Sequence, residues 1–252
     1  MFAAPAARML EMSTTMNDLS AGIAELEALL ADADPSMRPI LEQQIQAMRA
    51  TARLVRNAQP AMDEAARHRP ALSPELRAFF TPEQPAAVPV WLPDTLTRAE
   101  AHEGLLRCPP GASVYATEDG FSCAFPGQKG ISLSAPHGLA LGFFHATGKL
   151  RCQRFYENGL IRWSVEYHPT GGREQVGFYA SREPKEYLEH GLHTRWSSAG
   201  NVTAQASFWA GVRHGWSKLW EDDGFPISAT LHENGREVEQ VLSNGERRTA
   251  AP

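Results

Sequence analysis

Apolar positions change period once along this chain, and the change divides it. From about Thr15, Leu19, Ile23, Leu26 and Leu30 recur at alternating steps of four and three. That spacing is the seam of a coiled-coil-like helix. Thr15 or Asn17 can cap its start, with Asp18 favourable in the first turn. Asp34-Pro35 predicts its end, because proline restricts the residue before it. Leu41, Ile45, Met48, Ala52 and Val55 repeat the spacing, with Ser36 as cap and Pro39 tolerable in the first turn. A short turn between two such segments predicts an antiparallel helical hairpin over 1–59. Residues 1–13 show no period.

Between 60 and 107 the pattern loses regularity and proline dominates. Short helices are expected at Ala61–His68 and at Ser73–Phe80, where Ser73 caps and Pro74 takes the first position. Pro82–Pro93 (PEQPAAVPVWLP) reads as a semi-rigid extended linker, with Trp91 and Leu92 able to anchor it. Asp94–Leu106 is expected to form one more helix capped by Asp94.

From Cys108 onward helical periodicity is absent and Gly, aromatic and turn pairs take over. Asp119-Gly120, Asn158-Gly159, Asp223-Gly224, Asn234-Gly235 and Asn244-Gly245 are strong hairpin signals. Five pairs stand 24 residues apart: His190 and His214, Gly191 and Gly215, Trp196 and Trp220, Gly200 and Gly224, Gly211 and Gly235. This is an internal repeat. The best unit reads as strand Leu192–Ser197, a turn at Ala199-Gly200, strand Val202–Trp209 and a turn at Ala210-Gly211. Weaker echoes give about five units, with Ser181–His190 as an insertion. Single hairpins are marginal in water, so the units should stack into one long antiparallel sheet. The fold class expected is α+β: an N-terminal helical hairpin (1–59), a Pro-rich linker (60–107) and a β-hairpin repeat domain (108–252).

Tyr156-Glu157-Asn158-Gly159 and Leu231-His232-Glu233-Asn234-Gly235, with Gly215–Trp220 (GWSKLW) between them, resemble the MORN-repeat variant common in bacterial proteins. The resemblance covers roughly residues 111–245. It implies a binding or scaffolding module, which in bacterial members is often called antitoxin-like. The helical N-terminal half lies outside it.

Charge narrows the partner. The net charge is −5, with 10 Arg and no Lys against 14 acids before Cys108, and 14 basic against 15 acidic residues after it. Neither part carries the basic excess that binds nucleic acid, and an anionic membrane is disfavoured for the same reason. Cys108, Cys123 and Cys152 show no CxxC spacing and are not a secreted disulfide framework. The N-terminus does not read as a signal peptide and no apolar run is long enough for a membrane span, so the cytoplasm is the expectation.

No catalytic or metal constellation stands out, and no cofactor is implied. His190 and His193 lie three apart, on opposite faces of a strand, and His190 marks the repeat like His214. Cys123 or Cys152 with His137 or His145 would be a bare thiol–imidazole pair with no surrounding motif. Among the tryptophans, Trp196 and Trp220 are expected in the core. Trp209 and Trp216 are expected to be exposed, forming a binding surface with Arg213, Arg195 and Lys218. The reading is a non-enzymatic scaffold that binds another protein, antitoxin- or defence-associated through the resemblance, with self-association through the N-terminal helices as a further contact. The alternatives are an enzyme with an unrecognised Cys/His site, a peripheral lipid-binding module, or a protease substrate cut in the linker.

Overall fold

The computed structural model describes residues 16–67, 69, 71–85, 92–101, 103–117, 120–126, 135–183 and 186–249. Thr15, residues 1–13, His68, Trp91 and Asp119 therefore lie outside the described residues.

Helices α1 (Met16–Asp32) and α2 (Arg38–Arg67) form the expected hairpin. Their seam buries Leu19 and Ile45 most deeply. Gly22 faces Met48 so closely that an added Cβ would sit 2.6 Å from its Cε, and the small residue lets the helices close. Asn17 stands inside the first helix. In the turn, the Asp34 carboxylate accepts from both the amide and the hydroxyl of Ser36, at 2.9 and 2.7 Å. Ser36 is thus held in an Asx turn and does not cap α2. Pro60 does not end α2, which runs on to Arg67 where a separate helix over Ala61–His68 was expected. Proline removes one ladder bond and bends a helix without having to terminate it. Among the described residues no helix is long and apolar enough to cross a membrane.

Twelve antiparallel strands follow in one sheet, ordered as they occur in the chain. They are β1 (Ser113–Thr117), β2 (Gly120–Ala124), β3 (Pro136–Phe143), β4 (Leu150–Glu157), β5 (Leu160–Tyr167), β6 (Arg173–Phe178), β7 (Gly191–Trp196), β8 (Val202–Trp209), β9 (Val212–Trp220), β10 (Pro226–Glu233), β11 (Arg236–Leu242) and β12 (Arg247–Thr249). That makes six hairpins where the repeat pattern indicated about five; the short, mostly exposed first and last strands carry little of the repeat signature. Two turn types alternate. Along one edge run two-residue turns with both residues at positive φ: Asn158-Gly159, Ala210-Gly211 and Asn234-Gly235. Along the other, a type I-like turn closes on a positive-φ glycine, as at Ser197–Gly200 and Glu221–Gly224. One strand pair with one turn of each kind spans about 24 residues, which is the beat in the sequence.

Residues 69–106 differ most from expectation. They are not a spacer. Those described, 69, 71–85, 92–101 and 103–106, form a strap across one face of the sheet. Register defines that face as the row Leu141, Gln153, Val165, Val176, Thr194, Gln205, Lys218, Ala229 and Val241. Leu92, Leu96 and Leu106 of the strap pack with Leu139, Leu141, Phe143, Val165 and Val176, and Phe80 packs with Ala229 and Val241. Within the strap, α3 (Pro74–Phe79) is capped as expected, with the Ser73 hydroxyl accepting from Leu76 N. The expected helix Asp94–Leu106 shrinks to α4 (Glu103–Leu106). Asp94 is not free to cap it, since its carboxylate accepts from the Tyr167 hydroxyl (2.6 Å) and from Arg173 (2.9 Å).

Where the strap presses on the sheet, its inward peptide groups need partners. The sheet supplies the partners. Gln205 accepts from Glu83 N (2.8 Å) and donates to Glu83 O (2.6 Å), so one side chain imitates a ladder rung. Gln153 donates to Leu92 O, Lys218 to Phe79 O and the Trp220 indole to Phe80 O. Arg69 anchors the start of the strap to Glu221 and Asp223 and lies over the Phe225 ring. At the other end Cys108 and Cys123 form a disulfide with Cα atoms 5.4 Å apart, while Cys152 is free and buried. The long cysteine spacing did not anticipate this bridge, because only the strap's path brings Cys108 beside β2.

Candidate functional site

The opposite face begins with small residues. Register places Ala140 beside Arg154, Arg154 beside Ser164 and Ser164 beside Gly177, with Ala206 beside His193. The adjoining row runs Gly142, Cys152, Glu166, Gln175, Arg195 and Ala204. Glycine and alanine leave a low floor, above which the polar side chains of β4 to β7 meet one another.

Arg154 gives Nε and Nη2 to one carboxylate oxygen of Glu166, at 3.1 and 2.9 Å. The Tyr179 hydroxyl lies 3.2 Å from Ser164 Oγ, and its ring meets Tyr187 and His193 edge-on at 6.0 and 5.6 Å between centroids. His193 is buried, with Nε2 2.8 Å from Phe178 O and Nδ1 3.7 Å from Glu189. Arg195 is exposed and donates to Gln175 Oε1 at 2.8 Å.

Burial sets the protonation states here. It pushes the Cys152 thiol up, with Arg154 pulling the other way. It pushes Tyr156 up to about 12, with neighbouring Tyr187 adding to the shift, and raises Tyr179 as well. Burial also raises Glu166 against the pull of Arg154, and lowers His193 below the usual imidazole range. A protonated thiol, protonated phenols and a neutral imidazole form a hydrogen-bonding surface with no activated nucleophile.

The residues expected to form one binding surface are dispersed. Trp209 is 68% exposed and rests on His190, with exposed Val212 next to it at the β8–β9 turn. Arg213 is exposed near that turn. Arg195 lies on the open face. Trp216 is half-buried edge-on against Phe79, centroids 5.0 Å apart, and Lys218 is buried with its ammonium 2.7 Å from Phe79 O. Both are corrections with one cause: alternation on β9 puts Trp216, Lys218 and Trp220 on the strap face, and the strap was read as a spacer. Trp220 is buried, as expected, and Trp196 is half-buried against the cluster that holds Leu141, Val165 and Val176.

The repeat-marking histidines hold turns. His137, His190 and His214 accept through Nδ1 from the amides of Asn158, Ala210 and Asn234, at 3.0, 3.4 and 3.5 Å. Each is followed by a glycine at positive φ. The thiol–imidazole pairings considered from sequence are not assembled: Cys123 is in the disulfide and His137 is at its turn. His145 lies at the β3–β4 turn, where its amide and that of Ala146 donate to Glu25 of α1.

Sequence reasoning missed Arg154, Tyr156, Ser164, Glu166, Gln175 and Tyr179. A signal was present in LIRWSVEY, where Arg162, Ser164 and Glu166 alternate with Ile161, Trp163, Val165 and Tyr167.

No family model matches the chain, and no curated protein matches it. Several solved structures are similar over part of it. The accessory secretory protein 1, 2 and 3 structure of Streptococcus pneumoniae shares 14% identity at TM-score 0.25, covering 41% of this chain and 18% of that one. The glycosylation-associated Gap123 complex of Streptococcus agalactiae shares 9% at TM-score 0.24, covering 54% and 20%. The pneumococcal O-GlcNAc transferase GtfA, in complex with UDP and GlcNAc, shares 13% at TM-score 0.25, covering 69% and 26%. The chain thus spans roughly a fifth to a quarter of those chains, and likenesses this low assign it no activity.

Proposed function

We propose that the chain is a non-enzymatic scaffold that binds another protein through the open face of its sheet. The observation that carries this reading is the contrast between the faces. One is filled by the chain's own strap. The other presents Arg154, Glu166, Tyr179, His193 and Arg195, whose hydrogen bonds and ring contacts are to one another and to neighbouring residues of β4–β7 and the 179–190 connection. The MORN-like turn signatures fit a binding module. An antitoxin or defence-associated role is one use of such a module and rests on that resemblance alone. The Cys108–Cys123 bridge weighs against a reducing cytosol as the working compartment.

The test is affinity capture from the native cell with the wild-type chain and with Ala206→Trp, which places a bulky ring on the open-face floor. Loss of the captured partner with an unchanged melting temperature supports the reading. Equal capture by both would sink it.

A further inference from the structure

The partner's chemistry can be read from the placement of Arg154 and Arg195 on this face. We propose that the open face binds an extended acidic peptide lying across the strands, with carboxylates four residues apart held by Arg154 and Arg195. The proposal rests on the open face being the binding surface.

Three observations lead to it. The first is distance. Arg154 is on β4 and Arg195 on β7, in adjacent rows of the same face, three strand spacings apart. With about 4.8 Å per strand and about 7 Å between the rows, their Cα atoms stand about 16 Å apart, a span that two long arginine side chains can shorten by about 3 Å. An extended peptide rises about 3.3 Å per residue, so side chains at i and i+4 are about 13 Å apart and point the same way.

The second is bonding capacity. Guanidinium presents five donors in a planar fork suited to carboxylate. Arg195 spends its recorded bond on a neutral amide, Gln175. Arg154 spends two donors on a single oxygen of Glu166 and also contacts the Tyr156 hydroxyl. The neighbouring cation Arg162 is tied to Glu157 and to Ser181 O, and Arg151 beside Gly142 and Glu166 adds positive charge at the Arg154 end of the Arg154–Arg195 line.

The third is precedent within the molecule. The strap shows that this sheet accepts a chain running across its strands, with side-chain amides and hydroxyls meeting the backbone of that chain. Gln175 and the Tyr179 hydroxyl offer comparable groups on the open face, beside the half-buried small residues Ala204 and Ala206, while Ser164 and Gly177 lie beneath Tyr179 and His193.

The experiment is fluorescence anisotropy with the full chain and short labelled peptides of serine and glutamate. One peptide carries its glutamates four residues apart, one carries them adjacent, and one has glutamine at both positions. The spaced acidic peptide is expected to bind, more weakly with rising salt, and at least about tenfold more tightly than the glutamine peptide. Arg195→Gln, a change at an exposed position, should reduce that affinity about tenfold while leaving the melt unchanged. Equal binding of the adjacent or glutamine peptide, no effect of Arg195→Gln, or binding only of a sulfated oligosaccharide would overturn the proposal. The Ala206→Trp capture separates the two ideas. Loss of native capture without acidic-peptide binding removes the peptide class and keeps the face; retained capture removes both.

Discussion

The two faces of the sheet are built from the same strands and differ in what their polar residues do. On the strap face Gln153, Gln205 and Lys218 are buried, and each is spent on a peptide group of the chain's own residues 79–92. On the open face Arg154 bonds to Glu166 and to the Tyr156 hydroxyl, and Arg195 to Gln175. Polar residues buried under a strap are structural: remove one and a peptide group is orphaned. On the other face, which no described segment of the strap covers, polar residues satisfy one another instead. A buried glutamine in a strand is therefore no sign of a site here, whereas we propose the Arg154–Glu166 pair above glycine and alanine as part of one.

This difference can be broken or sharpened by substitution. The largest expected effect is Phe80→Ala, which empties a position 2% exposed against Ala229 and Val241 and should cost about 4 kcal/mol in urea denaturation. Next is Gln205→Ala, which orphans both peptide groups of Glu83 and should cost about 2 kcal/mol. Thermal melts showing no loss there would mean that the strap does not depend on the sheet for its hydrogen bonds.

A smaller effect comes from pH. Burial holds His193 below the usual imidazole range, so the unfolded chain takes up a proton near pH 6.5 that the folded chain refuses. The stability from neutral His193 is complete above that pH and is lost as pH falls below it. The raised carboxyl of Glu166 works in the opposite direction, its ionisation costing stability as pH rises past the usual glutamate range. Between neutral pH and about pH 5.5, wild type should lose stability through His193, a loss that His193→Gln removes. His232, lowered by its own burial and by Arg213, leaves a residual slope in the variant. The smallest effect is Arg195→Gln, within about 0.5 kcal/mol of wild type.

Local patterning foretold the helical hairpin, the long antiparallel sheet and its best unit, because seam spacing and glycine turns are set by neighbours a few residues apart. Ser73 with Pro74 was legible for the same reason. The strap was not. Its prolines read as a spacer, yet a proline has no N–H to satisfy, and that makes Pro82, Pro85 and Pro93 cheap to lay against a sheet. What turns a spacer into a cover is contact between residues more than 100 positions apart, such as Glu83 with Gln205. Missing the strap misassigned Trp216 and Lys218, since alternation fixes that they share a face and leaves open what lies above it. The open-face cluster was hidden similarly: Arg154 and Glu166 are 12 residues apart, and they meet only through the β4–β5 register.

The central claim is that binding belongs to one face. Methyl-labelled NMR reads the faces separately, because Ala140, Ala204 and Ala206 report on the open face and Val165, Val176, Ala229 and Val241 on the strap face. On titration with the spaced acidic peptide, the account predicts that the three alanine methyls of the open face shift and saturate together while the methyls of the four strap-face residues stay in place. Shifts centred on Ala229 and Val241, with the open-face alanines unmoved, would contradict it.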